Sequence, residues 1–146
     1  MRRLAALFVG LAVFAATVAP LPPAAAQELR DSDAGAIRSV IDRQIAAFKR
    51  NDGVEAFGYA APDLQAQFGT VETFMRMVQA GYGPVFRPRF YEFRELKPMN
   101  GAITQQVYVV GPDNVPRLAL YFMQRQEDGS WRISGCALVD FDGEQV

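Results

Sequence analysis

A chain of 146 residues, half of them apolar and 21% charged, is long enough for one modest hydrophobic core, and its composition excludes a disordered protein. Its 15 basic and 16 acidic residues leave a formal net charge of −1, which excludes the basic surface that nucleic-acid binding demands. There is no histidine, which removes the commonest general base, the commonest transition-metal ligand and any Ser-His or Cys-His couple.

The chain opens with Arg2 and Arg3, an apolar run from Leu4 to Ala19, prolines at Pro20, Pro22 and Pro23, and then Ala24-Ala25-Ala26. A charged n-region, an apolar h-region and a small-residue site are the parts of a secretory signal peptide, so residues 1–26 read as a leader cleaved after Ala26. The apolar run falls short of the roughly 20 residues that a spanning helix needs, which weighs against an uncleaved anchor. The expected address is periplasmic or secreted, with no membrane attachment after cleavage. Arg2-Arg3 alone does not make a twin-arginine signal, so the general secretory route is the default. Loss of residues 1–26 removes two arginines and leaves 13 basic against 16 acidic residues, a net of −3. The single cysteine, Cys136, can form no internal disulfide, so stability must come from packing.

Residues 27–32 are polar and read as a flexible lead. The first helix follows: Ile37, Val40, Ile41, Ile45 and Phe48 recur at helical spacing, opposite Arg38, Asp42, Arg43, Lys49 and Arg50. Ser32 or Asp33 is placed to cap its start, and Asn51-Asp52-Gly53 to end it, with Gly53 taking the left-handed position. A shorter helical stretch runs from Val54 to Ala60, anchored by Phe57 and Tyr59. Pro62 opens another turn or two through Leu64 and Phe68, ended by Gly69. Thr70 then caps a helix from Val71 to Ala80 with an apolar stripe of Val71, Phe74, Met75 and Val78, closed by Gly81 and Gly83-Pro84. These stripes read as core packing.

From Val85 onward the pattern turns to strands, at Arg89 to Leu96, Ile103 to Val110, Leu118 to Arg125 and Trp131 to Asp140. The breaks between them are too short for crossover helices, so the sheet should be an antiparallel meander. The fold class is therefore α+β: N-terminal helices packed on a curved four-stranded antiparallel sheet over residues 33–140, with residues 141–146 as an acidic tail. In the last hairpin, a two-residue Asp128-Gly129 loop sets Arg125 opposite Arg132, a like-charge pair. A three-residue loop with left-handed Gly129 sets Arg125 near Trp131 and permits a cation–π contact, and this register is preferred. In either register Leu118, Leu120 and Phe122 share one face of the third strand, and Ala119, Tyr121 and Met123 the other. A strand with one wet face should alternate apolar with polar. This one is apolar on both, so helices should cover one face and a second subunit the other, a homodimer through the sheet.

Three helices followed by a four-stranded antiparallel sheet, with a final Asp128-Gly129-Ser130-Trp131-Arg132-Ile133 strand entry, resemble the NTF2-like (cystatin-like) superfamily. More narrowly, Ile37 to Asp52, Phe68-Gly69, Phe74 and Trp131 to Cys136 make the exported chain similar to a bacterial domain family of unknown function, DUF4864. The NTF2-like resemblance implies a strongly curved sheet wrapped around a long N-terminal helix to form a cone. It also implies a choice among dehydratases, isomerases, small-ligand carriers and dimerisation modules, because the fold does not fix the function. Enzymes of that fold set an Asp or His base inside the cone, often with a tyrosine or a second acid.

An acid/base set in the cone would draw on Glu92, Tyr91, Tyr108 and Tyr121. Glu92, however, lies among alternating charges from Arg89 to Glu95, the pattern of a solvated strand face. Cys136 has no histidine to lower its pKa and reads as a small core filler. No spacing fits a zinc site, and Asp140 to Glu144 is too short for a calcium loop, so no metal or cofactor is expected. Gly81-Tyr82-Gly83-Pro84 follows a helix and lacks a Lys-Ser/Thr pair, so it is no phosphate loop. Arg87, Arg89, Arg94, Arg117, Arg125 and Arg132 would form an anion-binding rim only if they met on one face. The leading expectation is a non-catalytic module that binds a small apolar or amphipathic ligand, or a partner protein. Its cavity would lie between the first helix and the concave sheet, lined by Phe48, Phe74, Tyr91, Tyr108 and Tyr121. The alternatives are a small isomerase or dehydratase using Glu92 and a tyrosine, and a filled cone that serves only to dimerise.

Overall fold

The computed structural model describes residues 29–143; the leader read at residues 1–26 and the last three residues of the tail lie outside them. Its elements, in chain order, are α1 (Asp31–Lys49), α2 (Gly53–Gly58), α3 (Pro62–Phe68), α4 (Val71–Gly81), α5 (Gly83–Phe86), β1 (Phe90–Met99), β2 (Ala102–Val110), β3 (Pro116–Arg125) and β4 (Trp131–Asp140). The strands pair in the order β1-β2-β3-β4, every neighbour antiparallel, so the α+β class and the meander stand as read.

Burial of an isoleucine stripe is what seats α1. Ile37, Ile41 and Ile45 pack against Ile103, Val107, Val109, Ala119, Tyr121, Met123, Trp131 and Ile133, which define the inner face of the sheet. A second cluster forms at the C-terminal end of α1, where Ala47 and Phe48 meet Ala56, Phe74, Val78 and Phe86. Its rings pack tilted or edge-on, with Phe57 and Phe74 centroids 5.1 Å apart and Phe48 and Phe86 5.7 Å apart. Neither cluster contains a residue from the outer face of the sheet.

α1 begins inside the stretch read as a flexible lead, because Asp33 caps it from within the first turn. Its carboxylate accepts the Arg30 backbone N–H at 2.7 Å, the Arg125 guanidinium at 2.5 Å and the Trp131 indole N–H at 3.1 Å. The other end of α1 also differs from expectation. Asn51 takes the left-handed conformation (φ 56°), and Asp52 caps α2 by accepting the Glu55 N–H at 3.1 Å. Gly53 opens α2 instead, where a Cβ would lie 2.8 Å from Met75 Cγ and from Val71 Cγ1. Glycine is needed there for close approach between α2 and α4, not for its dihedral freedom. Gly83-Pro84, read as a helix end, begins the short α5, a position that tolerates the missing proline N–H.

The closing hairpin adopts the preferred register. Arg125 pairs with Trp131, Gln126 donates its N–H to the Ser130 carbonyl at 2.7 Å, and Gly129 is left-handed at φ 85°. The Arg125 guanidinium lies 4.8 Å from the Trp131 ring centroid. Two irregularities bend the sheet, one in β1 between Phe93 and Leu96 and one where Phe122 and Met123 of β3 meet β4. Buried Gln105 serves the first: its side-chain amide donates to the Arg94 carbonyl at 3.0 Å. The edge of β4 is shielded where Ile133 exchanges backbone hydrogen bonds with Tyr59 and Ala61 at 2.9 and 2.8 Å.

The Asp33 carboxyl is held below its ordinary value of 3.8, foremost by the Arg30 N–H and then by the Trp131 N–H and Arg125. A depressed carboxylate stabilises the fold above its unfolded pKa, and that stability is lost as the pH falls through the lower folded value. The gap in thermal midpoint between wild type and Asp33→Asn should therefore be full at neutral pH and narrow only below about pH 4. A gap that stays constant from neutral to acid pH would contradict the clamp. Glycine spacing gives a second test. A Cβ on Gly111 would lie 2.8 Å from the Pro84 Cα, so Gly111→Ala should destabilise by about 1–3 kcal/mol in denaturant unfolding. Gly35→Ala, in the open on α1, should stabilise by about 0.5–1 kcal/mol.

Candidate functional site

The two core clusters do not close on each other completely. A cavity of about 320 Å3 lies at their seam. α1 contributes Gln44 and Phe48, α4 contributes Phe74, Met77 and Val78, and β4 contributes Ile133 to Cys136. Tyr82, Val85, Tyr121, Phe122 and residues of α3, Leu64 among them, complete the wall. No lining residue is an acid, a lysine or an arginine.

The polar groups around this space are mostly committed. Gln44 donates its side-chain amide to the Ala56 carbonyl at 3.2 Å, and the Tyr82 hydroxyl donates to the Cys136 carbonyl at 3.0 Å. Burial pushes the Cys136 thiol up to about 12. The Tyr121 hydroxyl is buried without a hydrogen-bond partner, and its pKa is raised well above 10.0, foremost by burial and then by Cys136 and Tyr91. At neutral pH these groups are uncharged. They can donate hydrogen bonds but cannot act as bases.

Of the five residues expected to line the cavity, Phe48, Phe74 and Tyr121 are brought together here. Tyr91 is on the inner face but outside this cavity's lining; its hydroxyl donates to Asp42 Oδ1 of α1 at 2.7 Å. Burial, with that carboxylate second, raises its pKa to about 12. Tyr108 is on the opposite side of the sheet. Because strand side chains alternate, the inward Val107 and Val109 force Tyr108 outward. There it packs edge-on against Phe141 at 4.9 Å and Phe90 at 6.1 Å. Glu92 shares that outer face, opposite Tyr108, with its side chain 53% exposed and 3.8 Å from Arg94 Nε. The acid/base set is thereby split, with Glu92 and Tyr108 outside and Tyr91 and Tyr121 inside.

The arginines also separate. Arg87 reaches Phe48 and Asn51, Arg89 bonds Asn114 at 2.9 Å, Arg117 bonds Asp113 at 3.0 Å, and Arg125 is taken by Asp33. A second, more polar cavity of about 450 Å3 adjoins the first through Leu64 and Ser134 and includes Asp63, Gln124 and Arg125. Sequence reasoning missed Met77, Tyr82, Gly135 and Cys136 as lining residues. The small side chains at 135 and 136 were the available signal, since they leave space beside Tyr121. Among the described residues, no group of three or more His, Cys, Asp or Glu could hold a metal, and no helix is long and apolar enough to cross a membrane.

Helices laid over one face of an open antiparallel meander, with an uncharged cavity at the seam of two cores, define a pocketed α+β domain. The chain belongs to the family described as Domain of unknown function (DUF4864), whose model matches residues 30–146. No curated protein and no solved structure matches it.

Because the thiolate is the reactive form, Cys136 should be alkylated on the order of a thousandfold more slowly in the native protein than in denaturant at pH 8. Mass spectrometry after timed iodoacetamide treatment reads this ratio. Equal rates would mean that the thiol is not buried.

Proposed function

We propose that this chain is an exported, non-catalytic domain of NTF2-like architecture that binds a small, neutral, apolar or amphipathic molecule in the seam cavity. The observation that carries the reading is a cavity of about 320 Å3 whose lining is aromatic and aliphatic and without formal charge. This volume lies in the range of small-molecule sites, which are mostly apolar with a few polar groups. The absence of a cation in the lining disfavours a ligand with a carboxylate buried inside, since a buried unpaired charge is strongly penalised. The exposed Gln67 and Ser134 supply hydrogen-bonding groups for an uncharged polar end.

Export is supported by the leader pattern of residues 1–26. The non-catalytic reading is supported by the chemistry of the lining. It contains no carboxylate or amine to move a proton, and its thiol and buried phenol are held neutral. The isomerase alternative required Glu92 in the cavity, and that residue is on the outer face.

The test is titration with prodan, a neutral solvatochromic dye. The protein should give saturable, equimolar fluorescence enhancement. Met77→Glu, which sets a charge on a half-buried lining position, should weaken binding at least tenfold with unchanged circular dichroism. Absence of saturable binding, or identical binding by the folded variant, would overturn the assignment.

A further inference from the structure

The space beside the seam cavity has a chemistry that the seam lacks. It measures about 450 Å3 and lies where β2 begins, β3 ends and α3 runs beside β4. Leu64 and Ser134 line both spaces, so a chain that leaves the seam cavity between them enters the second. The lining of this second space mixes acceptors with donors. Asp63 is exposed and, among the described residues, forms no ion pair, so its carboxylate is free to accept. Gln124, also exposed, carries an amide that both donates and accepts. The Ser134 hydroxyl donates to the Phe122 carbonyl at 3.1 Å and keeps its lone pairs for an incoming donor. Arg125 brings no free charge, because Asp33 takes its Nη2 at 2.5 Å and neutralises it.

We infer that this space is the head-group half of one extended site, an inference that rests on the reading of the seam cavity as a ligand site. The ligand is a single-chain amphiphile with an uncharged, hydroxyl-rich head, such as a glycerol or a sugar. Its apolar chain fills the seam, and its head crosses between Leu64 and Ser134. The lining separates the three kinds of head that compete for this space. An anionic head finds the cation of the lining already paired and meets the Asp63 carboxylate with like charge. A cationic head meets Asp63, but an exposed ion pair contributes little, and an ammonium group has no lone pair for the Gln124 amide N–H groups. A hydroxyl is donor and acceptor at once, so neighbouring hydroxyls can give to Asp63 and Ser134 while accepting from Gln124. The space is also larger than the seam cavity, about 450 against about 320 Å3, which suits a head of several hydroxyls better than a single one.

Displacement of prodan by octyl compounds with different heads, each below its micelle-forming concentration, tests the inference. Octyl glucoside should displace the dye at about a tenth of the concentration that 1-octanol needs, as a few added hydrogen bonds predict. Octylammonium and octyl sulfate should gain less than the glucoside. Asp63→Ala and Gln124→Ala, both at exposed positions, should each cut the advantage of the glucoside about threefold and leave displacement by 1-octanol unchanged. Circular dichroism identifies a variant that fails to fold, and the other then decides. A glucoside no better than 1-octanol, a charged head that equals it, or a preference indifferent to both variants overturns the head site while the seam cavity stands. A wild type that binds no prodan overturns the seam reading itself, and the head site with it.

Discussion

The attachment of α1 to the closing hairpin through Asp33 is the constraint on which the rest of the fold depends. Asp33 is the one acidic side chain buried among the described residues, and its partners come from three places: the chain before α1, the end of β3 and the start of β4. Burying a charge is tolerable only when it is paired and hydrogen-bonded, so these partners have to arrive together. Gly129 makes that possible. A three-residue loop with Gly129 left-handed sets Arg125 beside Trp131 on the inner face, ready for the carboxylate. A one-residue slip would turn β4 over and carry Trp131 away from α1. The orientation of the longest helix therefore rests on the conformation of one glycine far along the chain.

The seam cavity follows from where that attachment acts. The clamp and the isoleucine stripe fix the N-terminal and middle turns of α1 on the sheet, while Phe48 at its far end belongs to the separate aromatic cluster with α2, α4 and α5. Between the two, β4 offers the small residues Ser134, Gly135 and Cys136. Gly135 cannot readily become larger, since a Cβ there would meet Phe122 Cδ2 at 3.2 Å. Tyr121 projects into this gap between the clusters with its hydroxyl unpartnered, at a cost on the order of 1–3 kcal/mol for a buried polar group. A core arranged for stability alone would place phenylalanine at that position.

The sequence made the elements and the meander legible because apolar spacing separates helices from strands cleanly. The hairpin register was legible too, because one alternative opposed two arginines and the other allowed an arginine on a tryptophan. The helix stop was misread, since Asn51 and Gly53 both tolerate left-handed dihedrals and only the packing of Met75 and Val71 shows which residue needed to be glycine. The site was half legible. Aromatic residues announced themselves as lining, but facing is set by parity along each strand, and Tyr108 falls on the wrong parity. Counting back from Arg125 and Trp131 without interruption sets Gly135 opposite Tyr121. The irregularity near Phe122 shifts the partner to Cys136, and such a shift leaves no reliable mark on a single sequence.

The doubly apolar β3 was read as needing two covers, and part of the second comes from the chain itself. Leu118 is only 2% exposed although no helix packs over it, because Tyr108 and Val139 flank it on neighbouring strands and Phe141 closes on Tyr108. The tail read as a frayed acidic end thus begins with a residue that helps roof the sheet. The outer face is already part of the chain's own packing, and what it leaves exposed is Phe90 at the start of β1. The inner face has no such margin, since its isoleucines, Trp131 and Asp33 are buried against one another within a single chain. The backbone plane of the sheet separates most of the two sets of side chains, so substitutions at Phe90 or Glu92 should add nearly independently to those in the α1 core.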